Sequence, residues 1–87
     1  MRTTFTNLSS SALVINGSGV LDGMYVNSTS SGTIKFWNAL TATGAVINNT
    51  ITPDKGYHKL GGCNFDTGLY ADTGATIDVT IYTRFAE

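Results

Sequence analysis

At 87 residues the chain has room for one domain, spanning 1–87, and a domain this small buries only about 60% of the surface its unfolded chain exposes. A single cysteine rules out an internal disulfide, and a single histidine leaves no His/Cys set for a metal within one chain. Charged residues make up 13%, against a usual share of roughly 25%, and the net charge of −1 without a basic run argues against nucleic acid, whose phosphates need Lys and Arg.

The first segment, Met1 to Leu8, reads as an extended stretch of alternating β-formers. It is either the first strand of the domain's own sheet or a terminal arm that adds to a neighbour's sheet edge. In the arm reading, Arg2 and Phe5 are the contact residues. Ser9 to Ser11 is a polar break, and Ala12 to Ile15 is a short apolar run ending at Asn16-Gly17-Ser18-Gly19, a turn signal. Val20 to Asn27 follows as a strand, with Val20, Asp22, Met24 and Val26 on one side and Gly23 and Tyr25 on the other. Gly23 within it predicts a bulge or a close backbone approach.

Ser28 to Gly32 reads as a polar loop. Thr33 to Asn38 alternates, with Ile34 and Phe36 on one face and Lys35 and Trp37 on the other. Leu40 to Gly44 is a loop, and Ala45 to Thr52 is a strand with Ile47 and Ile51 aligned. Thr52-Pro53-Asp54-Lys55 is a turn with Pro at its second position. Tyr57 to Leu60 and Cys63 to Phe65 are short strands around Gly61-Gly62. Two Asp-Thr-Gly turns flank Leu69 to Ala71.

The last strand, Ala75 to Phe85, has the clearest period of two. Ile77, Val79, Ile81 and Phe85 share one side, with Thr83 filling the register. Thr76, Asp78, Thr80, Tyr82 and Arg84 share the other. The whole predicts an all-β, antiparallel β-sandwich or jelly roll of seven to eight short strands, with turns about every eight to twelve residues. Its expected core is Ile34, Phe36, Ile47, Ile51, Leu69, Ile77, Val79 and Ile81.

No constellation of catalytic residues emerges. His58 has no nucleophile or orienting acid beside it in sequence. Cys63 lies near no predicted helix or basic neighbour, and is expected to be a buried thiol. Asp54, Asp66 and Asp72 each precede a glycine by two residues, where Asp side chains bond their own turn backbone. Their spacing fits no calcium loop. Gly17-Ser18-Gly19 and Gly61-Gly62 precede no helix and are not phosphate loops. Neither cofactor nor metal is expected. No apolar leader follows Met1, which predicts cytosolic synthesis, and no stretch approaches a membrane helix. The four Asn-x-Ser/Thr triplets read as chance in so Ser-, Thr- and Asn-rich a chain. The aromatic set of Tyr25, Trp37, Tyr70 and Tyr82 is more informative. Trp37 and Tyr82 fall on the sides away from the aliphatic residues, where they serve a subunit interface or stack on a sugar, unless Trp37 is core.

Several stretches also carry a family likeness. They are Val26-Asn27-Ser28-Thr29-Ser30-Ser31-Gly32-Thr33-Ile34-Lys35-Phe36-Trp37, Gly44-Ala45-Val46-Ile47-Asn48-Asn49-Thr50-Ile51-Thr52-Pro53, Gly68-Leu69-Tyr70-Ala71, and Gly74-Ala75-Thr76-Ile77-Asp78-Val79-Thr80. Between Gly19 and Phe85 the chain resembles small β-rich structural proteins of tailed bacteriophages. The resemblance implies a non-enzymatic virion component. A capsid decoration (cement) protein that binds and stabilises the head shell is the first expectation, and a tail or fibre module the second. It implies the major capsid protein or other virion proteins as partners, a homo-oligomer, and a place in the virion after synthesis in the host cytoplasm. A carbohydrate-binding jelly-roll module using Trp37 and the tyrosines is the expectation from a different class. The residues expected at protein contacts are Arg2, Phe5, Lys35, Trp37 and Tyr82.

Overall fold

The computed structural model describes residues 2–85, and the side chains of residues 3–84. The expected contact made by the Arg2 side chain, the inward facing of Phe85 and the placement of Met1 lie outside the described residues. Six strands form one antiparallel sheet: β1 (Arg2–Leu8), β2 (Ala12–Asn16), β3 (Gly19–Asn38), β4 (Ala45–Ile51), β5 (Gly56–Phe65) and β6 (Gly68–Phe85). No helix occurs among the described residues.

The sheet is built around β3 and β6, which pair antiparallel from Val20↔Arg84 to Trp37↔Tyr70. Each outer edge of this pair is covered by two short strands. Along β6, β2 covers the first part (Ala12↔Ala71 to Asn16↔Gly68) and β1 the last (Arg2↔Phe85 to Leu8↔Val79). Along β3, β5 covers the first part (Gly19↔Phe65 to Val26↔Gly56) and β4 the last (Ile34↔Ile51 to Asn38↔Ala45).

A straight strand of 20 residues would run about 65 Å at about 3.3 Å per residue, yet the longest extent of the molecule is 35 Å. Both long strands therefore bend sharply. The bend falls at one level in both. Ser31 and Ala75 there take left-handed backbone angles, with φ of 55° and 56°, and the register slips between Ser30 and Ser31.

This bend explains why there are six strands and not seven or eight. Ser28 to Gly32, expected as a loop, is held in the ladder by Thr76 to Asp78 through Ser28↔Asp78, Thr29↔Ile77 and Ser30↔Thr76, and Asp72-Thr73-Gly74, expected as a turn, by Thr33 to Lys35 through Thr33↔Gly74, Ile34↔Thr73 and Lys35↔Asp72. The polar residues stay in the ladder because each long strand gives the other its hydrogen bonds through the corner. Gly61-Gly62 is likewise carried within β5. Met1 to Leu8 is no free arm in its described part: β1 pairs with β6 from Arg2 to Leu8.

One apolar cluster unites both ends of the long strands: Leu8, Leu21, Met24, Val26, Ile34, Phe36, Phe65, Leu69, Ala71, Ile77, Val79 and Ile81. Of the expected core, Ile34, Phe36, Leu69, Ile77, Val79 and Ile81 are buried. Ile47 is only partly covered, and Ile51 is 37% exposed. Irregular pairing on either side of Phe36 turns the end of β4 away from the core. Leu21 enters it because a bulge between Leu21 and Gly23 resets the alternation, leaving Asp22 outward and Met24 inward. Thr83 does fill its inward position. It is fully buried, and its hydroxyl has no hydrogen-bond partner among the described residues.

Two measurements check this packing. Ile81→Ala should cost about 2–5 kcal/mol in denaturant unfolding, whereas Ile51→Ala should stay within about 0.5 kcal/mol. Thr83→Val, which replaces an unpaired buried hydroxyl with a methyl of similar shape, should stabilise the fold by about 1 kcal/mol and raise Tm.

Candidate functional site

The outward side chains fall into two groups, one on each side of the bend. On the first, Phe5 of β1 lies directly opposite Tyr82 of β6. Phe5 is 69% exposed, because its neighbours Thr4 and Thr6 turn toward the inward Thr83 and Ile81. Tyr57 of β5, 56% exposed, reaches over β3 toward Tyr82, with ring centroids 6.2 Å apart and planes inclined at 42°. Gly23 makes this crossing possible. A Cβ there would lie 2.5 Å from the Tyr57 hydroxyl and 2.8 Å from the His58 carbonyl oxygen. Tyr25 adds a further exposed ring beside Tyr57, its register partner.

Beside these rings lies a shallow depression of about 550 Å³, lined by Thr3, Asp22, Tyr57, Lys59, Gly61, Gly62, Tyr82 and Arg84. Arg84 Nε donates to both Asp22 oxygens, at 2.9 and 2.7 Å. These hydrogen bonds, and then the charge of Asp22, raise the Arg84 guanidinium further above its ordinary range. Lys59 forms no salt bridge or hydrogen bond among the described residues.

Toward the bend the same face is polar. Asp78 of β6 accepts from Asn7 of β1 at 2.9 Å and from Asn27 of β3 at 3.1 Å. Both amides also donate to Thr80 Oγ1, at 3.2 and 3.1 Å. The clasp ties three strands together, and its hydrogen bonds, that from Asn7 foremost, hold the Asp78 carboxyl below its ordinary value.

On the other side of the bend, one row crosses four strands in register: Leu13↔Tyr70, Tyr70↔Trp37 and Trp37↔Val46. Leu13 and Val46 are 40% and 42% exposed, and Tyr70 and Trp37 are half-buried. Lys35 lays its ammonium 4.5 Å from the centre of the Trp37 ring, a cation–π contact. The Trp37 indole N–H is buried without an acceptor among the described residues.

The structure thus brings Phe5 and Tyr82 together on one face and Lys35 and Trp37 together on another. It does not join the two pairs. The depression was not foreseen. Asp22, Lys59 and Arg84 assemble across three strands, and the only signals for them were the Tyr57-His58-Lys59 alternation and the bulge-forming Gly23.

The other candidates occupy structural positions. His58 is half-buried, and its Nε2 lies 2.7 Å from the Asp54 carbonyl oxygen. Cys63 is exposed, not buried, with its thiol 3.2 Å from the Leu60 carbonyl, since the left-handed Gly61 and Gly62 turn this part of β5 outward. Asp72 bonds the Ser11 hydroxyl instead of its own turn, because its segment is strand. Asp66 sits at its turn but leaves the turn's backbone amides to Asn38. Its carboxylate accepts from Asn38 at 3.0 Å and from Thr67 at 3.4 Å, while Asn38 accepts the Asp66 and Thr67 amides. These contacts, Asn38 first, lower its pKa. Among the described residues no three His, Cys, Asp or Glu side chains converge on a metal position.

Compared with protein-family models, curated proteins and solved structures, the chain has no match.

Acid should weaken the clasp in a defined direction. A carboxyl held below its ordinary value of 3.8 contributes stability above that pH and loses it as pH falls through the lower folded-state value. Melting between about pH 5 and about pH 2 should therefore show Tm falling with acid, and Asp78→Asn should flatten that fall while lowering Tm at neutral pH.

Proposed function

We propose that this chain is a non-enzymatic structural protein of a tailed-phage virion, a decoration module that binds the head shell through protein–protein contacts. One observation carries the attachment: the Leu13, Tyr70, Trp37 and Val46 row, an apolar stripe across four strands with exposed ends. Exposed apolar surface in one contiguous patch marks an interaction surface, and aromatic residues are enriched at such contacts. Lys35 over Trp37 adds a positive rim to an otherwise uncharged stripe.

The chain path supports a jelly roll beneath this face. Dividing β3 and β6 at the bend yields eight segments: β1 and β2 are 1 and 2, β3 supplies 3 and 4, β4 and β5 are 5 and 6, and β6 supplies 7 and 8. Their neighbour orders are then 1-8-3-6 and 2-7-4-5, two four-stranded layers of a double-sheet jelly roll. The shared core and the shortest extent of 18 Å fit two layers about 10 Å apart. In that arrangement the Trp37 row and the Phe5–Tyr82 row face opposite ways, so one can meet the particle while the other faces away. The likeness of the stretches around Val26 to Trp37 and Gly68 to Thr80 to small phage structural proteins supports the virion setting. Many copies on a lattice would gain by avidity, so each contact can be individually weak.

Purified particles of the phage encoding the chain should contain it in numbers on the order of hundreds, whereas a few to tens would place it in the tail. Particles stripped of the protein should rebind the purified chain. The double variant Leu13→Ser, Val46→Ser should lose at least about tenfold in occupancy at equal concentration with little change in Tm, since both side chains are partly exposed. Full rebinding by that variant would exclude the Trp37 face as the attachment surface.

A further inference from the structure

We infer that the depression between β5 and β6 binds an acidic saccharide, of the uronic- or sialic-acid type, with Tyr57, Lys59, Tyr82 and Arg84 as its recognition residues. The inference is independent of the virion setting and rests on what converges there. Two tyrosine rings 6.2 Å apart supply the faces on which the C–H side of a pyranose packs. Lys59 extends from the same strand face as Tyr57, two residues on, and has no anionic partner among the described residues. Arg84 spends its Nε on Asp22, and its terminal N–H groups make no hydrogen bond among the described residues.

The local charge sum is Lys59 and Arg84 against Asp22, one net positive charge on a chain whose own net charge is −1. A single carboxylate matches that surplus. Asp22 then serves two purposes: it fixes the Arg84 fork by hydrogen bonds, and it keeps acceptor capacity for sugar hydroxyls. The same carboxylate disfavours a dianionic phosphate, and an uncharged sugar would leave Lys59 without a counterpart.

The rim explains the two consecutive glycines. Gly61 and Gly62 hold φ of 76° and 68°, where L side chains are strained. A Cβ on Gly62 would lie 3.6 Å from Arg84 Nη2 and 3.9 Å from Asp22 Oδ1, so a longer side chain there would spread over the ion pair. With glycine the pair stays open to a ligand. Tyr57 is positioned by Gly23 beneath it, which puts the bulge of β3 to use.

The test is an amide-resolved NMR titration of the purified chain with tetragalacturonic acid. Maltotetraose serves as the uncharged control and oligo-dT as the nucleic-acid control. Expected are shifts concentrated at residues 57–62 and 82–84. Tyr57→Ala and Lys59→Ala should each weaken binding at least about tenfold, and added salt should weaken it further. Both side chains are exposed, so an unchanged melt will show that each variant is folded. Absence of shifts up to about 10 mM tetragalacturonate and sialyllactose would overturn the inference. So would equal affinity for maltotetraose, tighter binding of oligo-dT, or shifts centred on Trp37.

Discussion

The pairing of β3 with β6 is the constraint on which everything else rests. From Val20↔Arg84 to Trp37↔Tyr70 the two strands satisfy each other's backbone groups, through the corner as well as along the straight parts. A corner in a lone strand would strand several polar groups. Here both strands turn at one level, and left-handed Ser31 and Ala75 confine the strain to single residues. The four shorter strands need only attach to an edge that already exists. β4 illustrates this dependence: it has one neighbour, irregular pairing and a largely exposed face.

The same pairing decides what faces outward. On β6 the inward run of Ile77, Val79, Ile81 and Thr83 forces Asp78, Thr80, Tyr82 and Arg84 out. The neighbouring strands then sort by register into a polar clasp near the corner and an aromatic, charged depression near the open end. Asn7 and Asn27 meet Asp78 from opposite sides because β1 and β3 flank the last part of β6. Asp22 meets Arg84 only because the Leu21–Gly23 bulge turns it outward. Surface chemistry in this molecule is a by-product of core register.

The all-β class, the last strand and its inward set, and the bulge at Gly23 were legible because period-two alternation and glycine within a strand are local signals. The strand count was not. Ser28 to Gly32 has loop composition, and only its partner across the corner makes it strand, a non-local fact. Ile51 and Cys63 were misplaced for a related reason: irregular pairing and left-handed glycines shift the facing of everything beyond them. Trp37 and Tyr82 were legible as outward residues singly. Tyr57, Lys59 and Asp22 joined the site only once register set β5 and β6 on opposite sides of β3.

The order of strands in the sheet also has a kinetic side. β6 is emitted last of the six by the ribosome, yet it is an interior strand that both β1 and β3 require. β1 must wait for a partner about seventy to eighty residues downstream, and closing so long a loop is an entropic cost met only when many contacts form together. Until then β3 presents a long unpaired edge with Leu21, Met24, Val26, Ile34 and Phe36 uncovered. Folding of these six strands is therefore a late, concerted event that waits for β6, and the nascent chain up to β5 is the species most exposed to aggregation.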